Sequence, residues 1–186
     1  MSNLNPDNVK AAITGEVLIG PMSAAAAVTS TSGPRTGLVS LGYLDEDAIT
    51  ITLSRSVDKK KAWQNGDTVR SLVTEADLTI KFVMIETKKE TVELYWQTEV
   101  TQSGDEGGFD IVPSAKNDPV GIVVDLVDGS DLTTYVFERA ELEDRAELKL
   151  TNKDLTGHGV TMSASPGSDG KSGHCYSTAL RDLNEG

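Results

Sequence analysis

The sequence contains few of the residues on which disulfide-stabilised, metal-binding and membrane proteins depend. Its 186 residues include one cysteine and two histidines, so an intramolecular disulfide is excluded and a four-ligand zinc site would be incomplete within one chain. No apolar run approaches the ~20 residues of a membrane helix, and the N-terminus lacks the basic and apolar regions of a signal peptide. These absences predict a protein that is made in a reducing cytosol and has no membrane partner.

Basic residues are also scarce. Lysine and arginine together number 17, against 29 aspartates and glutamates, which gives a formal net charge of -12. A protein that binds nucleic acid by neutralising phosphates needs the opposite balance. The charge therefore argues against a nucleic-acid-binding surface and predicts that duplex DNA is repelled.

Patterns typical of catalysis are weak. Nucleophilic catalysis requires a base beside a serine, threonine or cysteine. The best pair, His174 and Cys175, lies in a segment rich in glycine and serine that has nothing to hold its geometry. The run Gly170-Lys171-Ser172 resembles the end of a phosphate-binding loop, but Ser165 stands where that motif requires glycine. We predict no catalytic residues and no cofactor.

A group of aspartates near a glycine has two interpretations. Asp125, Asp128 and Asp131 surround Gly129, and oxygen ligands near a glycine turn are typical of calcium loops. The spacing of an EF-hand and its terminal glutamate are absent, however. We therefore predict a plain β-turn here and no metal site.

Short segments of alternating apolar and polar residues dominate the chain and are typical of half-buried strands. They predict strands at residues 13–20, 38–43, 48–55, 78–85, 109–113, 120–127, 133–138 and 159–164, with an acidic turn at 45–47 and a flexible acidic loop at 104–108. Residues 140–150 have a helix-forming composition, but their apolar residues fall two apart, so we interpret them as two strands joined near residues 143–145. The run Asn65-Gly66-Asp67 predicts a tight turn in a projecting hairpin.

One segment has the pattern of a helix. Thr87 and Glu90 have the spacing of a capping box, in which both side chains satisfy free backbone amides at the helix start. Val92, Tyr95 and Trp96 then recur at helical spacing and would form one apolar face. We expect a helix over residues 90–95.

The predicted fold is mainly β, an antiparallel β-sandwich or barrel with one flanking α-helix. A single domain over residues 1–165 would include an extended N-terminal arm at 1–12 and a long loop at 21–37, which is rich in small residues. Residues 166–186, rich in glycine, serine and aspartate, would form a flexible polar C-terminal tail.

A cluster of positive charge is unusual in this acidic chain. Lys59, Lys60 and Lys61 come just before Trp63 and Gln64, at the predicted hairpin. Solvated charges are one explanation, and a patch complementary to acidic surfaces of identical subunits is the other. We predict that these five residues form a subunit or ring interface.

The central part of the sequence resembles the tail tube (major tail) proteins of siphophages. The similar phrases, in order, are Trp63-Gln64, Arg70, Thr74-Glu75, Ile85-Glu86-Thr87 and Glu93-Leu94-Tyr95. The stretch from Lys153-Asp154-Leu155 to Val160-Thr161-Met162 is similar to the last strand region of that family. The likeness covers residues 42–164 and includes no catalytic residue.

The resemblance implies a structural virion protein. Its subunits would form stacked, hexameric rings and thus a hollow tail tube, with duplex DNA as non-specific cargo in the lumen. It also implies the tape-measure protein, the tail terminator and the distal tail protein as partners, and the virion tail as location after assembly in the host cytoplasm. The alternative is a monomeric β-sandwich adhesin or carbohydrate-binding module, for which two tryptophans and four tyrosines supply few platform residues.

Overall fold

A computed structural model describes residues 9–63, 65–114 and 116–180. In this part of the chain there are two α-helices, α1 Met22–Ala26 and α2 Lys89–Trp96, and a 3₁₀ turn at Thr178–Leu180. The strands are β1 Thr14–Gly20, β2 Val39–Ser40, β3 Leu44–Lys61, β4 Thr68–Met84, β5 Thr101–Ser103, β6 Glu106–Gly108, β7 Val120–Asp128, β8 Asp131–Arg145, β9 His158–Ser165 and β10 His174–Ser177. No helix among the described residues has the length and apolarity needed to span a bilayer.

Most strands belong to one antiparallel sheet, in the order β2-β1-β7-β8-β9-β4-β3. Strand β8 is long because its two halves have different neighbours. Its first half lies between β7 and β10, and residues 139–145 pair with β9. A strand that changes partners in this way allows the sheet to fold over on itself. The predicted mainly β, antiparallel, sandwich-like fold is confirmed.

The main hydrophobic core lies on one face of this sheet, against α2. Because the side chains of a strand point alternately to its two faces, every second residue of these strands points to this face. The largest contributors are Leu41, Ile80, Phe82, Met84, Ile122 and Met162, all with 2% exposure or less. Helix α2 adds Leu94 and Tyr95 to the same cluster.

The predicted helix is confirmed, but two details of it are wrong. Its N-cap is Lys88 and no side chain caps its first turn, so Thr87 and Glu90 do not form a capping box. Its buried residues are Thr91, Leu94 and Tyr95. The helical spacing is as predicted, but the buried face is centred one residue earlier than Val92 and Trp96, because Leu94 packs into the main core.

A second, smaller core lies on the opposite face of the sheet and was not predicted. Helix α1 and the residues after it bury Ala25 and Val28 against Leu18, Val123 and Val136. Gly121 makes this possible, since a Cβ there would lie 2.5 Å from the Cβ of Ala25. The predicted long loop at 21–37 is therefore corrected: it contains a helix that covers the back of strands β1, β7 and β8.

Arg35 fixes the rest of this segment to the sheet. Its Nε donates to Asp125 Oδ2 at 2.8 Å and its Nη2 to Asp125 Oδ1 at 2.7 Å, while Nη1 donates to the Gly33 carbonyl at 2.8 Å. Thr134 Oγ1 donates to the same carboxylate at 2.5 Å. The hydrogen bonds to Asp125 raise the pKa of Arg35, against the effect of burial. A bidentate pair of this kind holds the loop in one position.

The segment predicted as a flexible tail is in part built into the fold. Strand β10 pairs with β8 from His174↔Val136 to Ser177↔Thr133, and Tyr176 packs on the second core. The predicted boundary at residue 165 is therefore corrected, because the sheet extends to Ser177. Residues 181–186, like residues 1–8 of the predicted arm, lie outside the described part of the chain.

Two predicted β-segments are also corrected. Residues 109–113 are not a strand, because Phe109 packs beside Trp96, with ring centroids 5.8 Å apart. The predicted acidic loop at 104–108 instead belongs to a small hairpin of β5 and β6. Residues 45–47 are part of β3 rather than a turn, and an irregularity before Ile49 includes Ala48 at a positive φ of 49°.

Strand β8 is continuous where we predicted a joint. It runs through residues 143–145 to Arg145, and residues 146–150 are not a strand. Arg145 Nε donates to the Tyr95 carbonyl at 2.5 Å and Tyr95 donates its hydroxyl to the Ala146 carbonyl at 2.7 Å. These bonds direct the chain towards α2, so it leaves the sheet after Arg145.

His158 is a polar residue that is buried in the core with one ring nitrogen unpaired within the described chain. It is 4% exposed, its Nδ1 has no hydrogen-bond partner, and its ring lies 5.3 Å from that of Tyr95. Burial lowers the pKa of His158 below its ordinary value, and a backbone hydrogen bond to Met84 opposes this effect only in part. The folded protein therefore holds His158 in its neutral form.

The lowered pKa of His158 predicts that acid destabilises the protein before the carboxylates titrate. Below about pH 6.5 the unfolded chain takes up a proton at His158 more readily than the folded chain does, so the free energy of unfolding falls by at most about 1.4 kcal/mol per pH unit. Urea unfolding at pH 7.5 and pH 5.5 measures this loss. The loss should be reduced in His158→Gln and kept in the control His174→Gln. Equal stability at both pH values in the unmodified protein would contradict the prediction.

Candidate assembly surface

The hairpin of β3 and β4 extends beyond the rest of the sheet. Strand β9 pairs with β4 only from Thr79 to Met84, and in the described chain residues 54–77 pair only with each other. We call residues 54–77 the hairpin extension. Its eight β3 residues, at about 3.3 Å each, reach roughly 26 Å from the sheet.

The two faces of the hairpin extension differ in chemistry. The face that continues from the buried Ile80 carries Leu53, at the base of the extension, and Val57 and Val73 within it, with exposures of 74%, 43% and 48%. Arg55 lies between Leu53 and Val57 on the same face. The opposite face carries mostly hydroxyl and charged side chains, among them Ser54 and Ser56. The core-facing pattern of the strands therefore continues into solvent, where no residue of the described chain covers it.

The tip of the hairpin extension presents Trp63, which is 95% exposed. A hydrogen bond from the Ala62 amide to the Asp67 carbonyl, at 2.7 Å, closes the turn. A second runs from the Gly66 amide to the Ala62 carbonyl at 3.0 Å, and Gly66 has the positive φ of 70° that suits glycine. The predicted hairpin is confirmed, and Gln64 lies outside the described residues.

The three lysines do not form one patch. Successive strand residues point to opposite faces, so Lys59 and Lys61 share a face and Lys60 lies on the other. Lys60 Nζ is 2.5 Å from Asp58 Oδ2, whereas Lys59 and Lys61 have no ion-pair partner within the described chain. The uncompensated positive charge at the tip therefore comes from Lys59 and Lys61, together with Arg70.

Charge separates the hairpin extension from the body of the protein. The extension has five basic and four acidic residues, against 17 and 29 in the whole chain. The rest of the chain, with 12 basic and 25 acidic residues, therefore has a net charge of -13. A slightly basic projection on an acidic body favours contact between the projection of one copy and the body of another.

A cleft of about 490 Å³ lies between α2, the end of β1 and the start of β7. Its apolar lining includes Ile19, Val39, Leu94 and Val120, and its carboxylates are Glu90, Glu93, Glu99 and Asp118. Lys116, its one basic residue, forms an ion pair with Asp118. Gly20 and Gly37 lie in close contact on one side, since a Cβ on Gly20 would be 2.4 Å from the Gly37 carbonyl oxygen. The cleft is thus apolar and acidic.

Groups able to bind a cation meet at a place that the sequence did not indicate. Ligand atoms of Glu138, Asp169 and His174 lie within 4.8 Å of one another, and His174 Nε2 is 3.2 Å from Asp169 Oδ2. Lys171 Nζ lies 3.0 Å from the same carboxylate group, so a cation of the chain itself already occupies this neighbourhood. The contacts join β8 to the segment before β10.

The aspartates near Gly129 do not converge on one point. Asp125 binds Arg35, Asp128 accepts a hydrogen bond from the Ala11 amide, and Asp131 forms an ion pair with Lys10. Gly129 has a φ of 60° in the turn between β7 and β8. The predicted β-turn is confirmed, and its aspartates connect neighbouring segments to the sheet.

The sequence matches a family model over most of its length. The model describes phage tail tube proteins and covers residues 2–175. The chain belongs to this family. This tail tube protein is therefore a structural component of the phage tail and assembles with other tail components. The family resemblance derived from residues 42–164 is confirmed.

A solved structure is also similar to the tail tube protein. It is a chain of the six-fold-symmetrised cryo-EM structure of the anti-feeding prophage baseplate. The two are 11% identical with a TM-score of 0.44, over 94% of this chain and 97% of that chain. No curated protein sequence matches the chain.

The sequence indicated the tip of this candidate surface but not its length. Lys59, Lys60, Lys61, Trp63 and Gln64 were selected because a cluster of positive charge and a nearby aromatic residue can be recognised in the sequence. Leu53, Val57 and Val73 were missed, because they belong to a strand pattern that looks the same whether the face is buried or exposed. Their signal was the length of the alternating pattern on both sides of the turn, which is longer than one sheet layer requires.

Proposed function

We propose that this tail tube protein polymerises through its hairpin extension into stacked, hexameric rings that form the hollow tail tube. The observation that carries the proposal is the uncovered apolar face of the extension. An isolated two-stranded hairpin is marginal in water, and a long exposed apolar edge strand promotes pairing with another chain. Contact with neighbouring subunits would stabilise the hairpin and cover its exposed edge strand.

The occupant of this face is a second copy of the same chain. Strand β3 is the edge strand of the sheet and has β4 as its one partner in the described chain. Its free edge is available along the whole extension and its apolar face as far as Val57, and the opposite charge of the body supports a like subunit as partner. A tube of identical subunits repeats this contact at every position.

The acidic body suits the passage of duplex DNA through the lumen. Each lysine or arginine that neutralises a phosphate releases counterions and strengthens binding. A body with a net charge of -13 offers few such contacts, so DNA remains a non-specific cargo that is not held. On this proposal the protein has a structural role, without catalytic residues, cofactor or metal.

The proposed partners outside the tube are the tape-measure protein, the tail terminator and the distal tail protein. The tube would form around the first and end at the other two, in the host cytoplasm, before it becomes part of the virion tail. The family membership supports this set, since a tube of fixed length needs a start, a measure and an end.

Electron microscopy of the purified protein tests the proposal. We expect rings or tubes, either with the protein alone at high concentration or after addition of a tail-tip initiator complex. Six-fold symmetry in end views would support the hexameric ring. Persistent monomers under both conditions would overturn the proposal, and a different ring number would correct it.

A further inference from the structure

We infer that the tip of the hairpin extension, with Trp63 at its end, docks in the α2 cleft of a neighbouring subunit. The inference rests on the proposed function and adds the surface that receives the extension. The α2 cleft is the 490 Å³ cleft lined by Leu94, Val39 and the carboxylates described above. The occupant is therefore a second copy of this chain.

The tip has the properties of an anchor residue on a fixed support. Trp63 is 95% exposed, although a tryptophan buries 150–250 Å² when it finds a site, at about 25 cal/mol per Å². The two backbone hydrogen bonds across the turn, at 2.7 and 3.0 Å, hold its backbone in place. Tryptophan is also among the residues most enriched at the energetic centres of interfaces. Docking would remove the apolar surface of Trp63 from water and so stabilise the contact.

The α2 cleft has the matching shape and polarity. Its volume of about 490 Å³ is within the range of roughly 300–1,000 Å³ for binding pockets. Its apolar residues come from four elements that the fold holds together: β1, β2, β7 and α2. Val39 is 45% exposed, so apolar surface is available there in the isolated subunit.

Charges of opposite sign on the tip and in the α2 cleft favour their contact. Glu90 and Glu99 in the α2 cleft have no ion-pair partner within the described chain, while Glu93 accepts from the Val100 amide at 2.9 Å. On the tip, Lys59 and Lys61 are likewise unpaired there. Unpaired charges of opposite sign on two surfaces of one molecule orient a heterologous contact. Such a contact, head to tail, closes a ring or continues a filament.

The tip does not dock in the α2 cleft of its own chain. Trp63 would be buried if the hairpin extension folded back, and it is instead almost fully exposed. The extension leaves the sheet at β3, the edge opposite β2 in the strand order, and β2 contributes Val39 to the cleft. A neighbouring subunit is therefore the source of the tip.

Disulfide trapping tests the contact in assembled tubes. The native thiol Cys175 is exposed and is first removed by Cys175→Ser. In that background, subunits with Asn65→Cys, beside the tip, are mixed with subunits with Val39→Cys, assembled and mildly oxidised. We expect a cross-linked heterodimer. The control pairs Asn65→Cys with Leu150→Cys, an apolar position outside the cleft that is 76% exposed and so more accessible than Val39 at 45%.

The outcomes separate this inference from the proposed function. Tubes with a cross-link at Val39→Cys and none at Leu150→Cys support both. Tubes without the cross-link, or with equal cross-linking at both positions, overturn the docking site and leave the tube intact. Trapping of Val39→Cys by another tail component, in reconstituted tails, would assign the cleft to that component instead. No tubes at all contradicts both statements.

Charge reversal gives a second measurement that does not depend on thiol geometry. The double change Glu90→Lys and Glu99→Lys should raise the critical concentration for tube formation by about tenfold or more, the equivalent of about 1.4 kcal/mol. Adding Lys59→Glu and Lys61→Glu should restore assembly. Failure of this rescue, with all variants folded by circular dichroism, would also overturn the docking site.

Discussion

Replacement of Leu53, Val57 and Val73 by threonine is expected to abolish tube formation and leave the monomer folded. The three side chains are 74%, 43% and 48% exposed in the isolated subunit, so the core does not depend on them. Threonine has the β-branched shape that strands favour and removes apolar contact. At about 1 kcal/mol for each side chain, the critical concentration should rise by roughly 100-fold.

The control for this prediction lies on the other face of the same strand. Ser54→Thr and Ser56→Thr change the hairpin extension by a similar amount without touching its apolar face, and should leave assembly unchanged. Sedimentation velocity measures the assembled fraction, and thermal unfolding of the monomer tests its fold. Tubes formed by the triple variant at the normal concentration, or a monomer that has lost its stability, would contradict the prediction.

Strand prediction succeeded where one face of a strand is buried and the other is not. Residues 78–85 and 159–164 alternate in the way that a half-buried strand requires, and they lie in β4, which ends at Met84, and in β9. Residues 48–55 alternate in the same way and lie in β3, although both faces of that segment are largely exposed. The mostly apolar run at 120–127 lies in β7, which is covered on both faces, as a continuous apolar run requires. These features are local and can be predicted from spacing.

Helix α1 could not be predicted because its stability comes from tertiary contacts. Residues 21–37 have little apolar surface, and a five-residue helix is far too short to form alone. Ala25 and Val28 are buried because Gly121 leaves room above β7, and Arg35 finds its partner 90 residues away at Asp125. Small residues suggest a loop in a sequence, whereas in this fold they allow a helix to approach the sheet closely.

The tail at 166–186 shows the same limit. Its composition is typical of a mobile segment, yet His174 to Ser177 complete the sheet beside β8. The first half of β8 lies before the residues that pair with β9, so its edge is free to pair with β10. Backbone pairing at that edge needs no apolar side chain, which is why composition did not predict it. The candidate assembly surface was predicted in part: Trp63 is where the sequence placed it, and the three lysines are divided between two faces by the strand that carries them.

Phe82→Ala is expected to cost the isolated subunit about 3–5 kcal/mol of unfolding free energy. Phe82 is 2% exposed and lies between Ile49 on β3 and Val160 on β9. A domain of this size has about 5–15 kcal/mol in total, so much of its stability would be lost, as urea unfolding will measure.

Leu53→Ala is the control for Phe82→Ala, because both residues lie on the same face of the hairpin formed by β3 and β4. Leu53→Ala, at a position 74% exposed, should change monomer stability by less than about 0.5 kcal/mol and should weaken assembly. A Phe82→Ala subunit that stays folded at low temperature should still assemble, since the hairpin extension is intact. If Leu53→Ala instead destabilised the monomer as much as Phe82→Ala, the apolar face of the extension would belong to the fold of the subunit and not to its assembly.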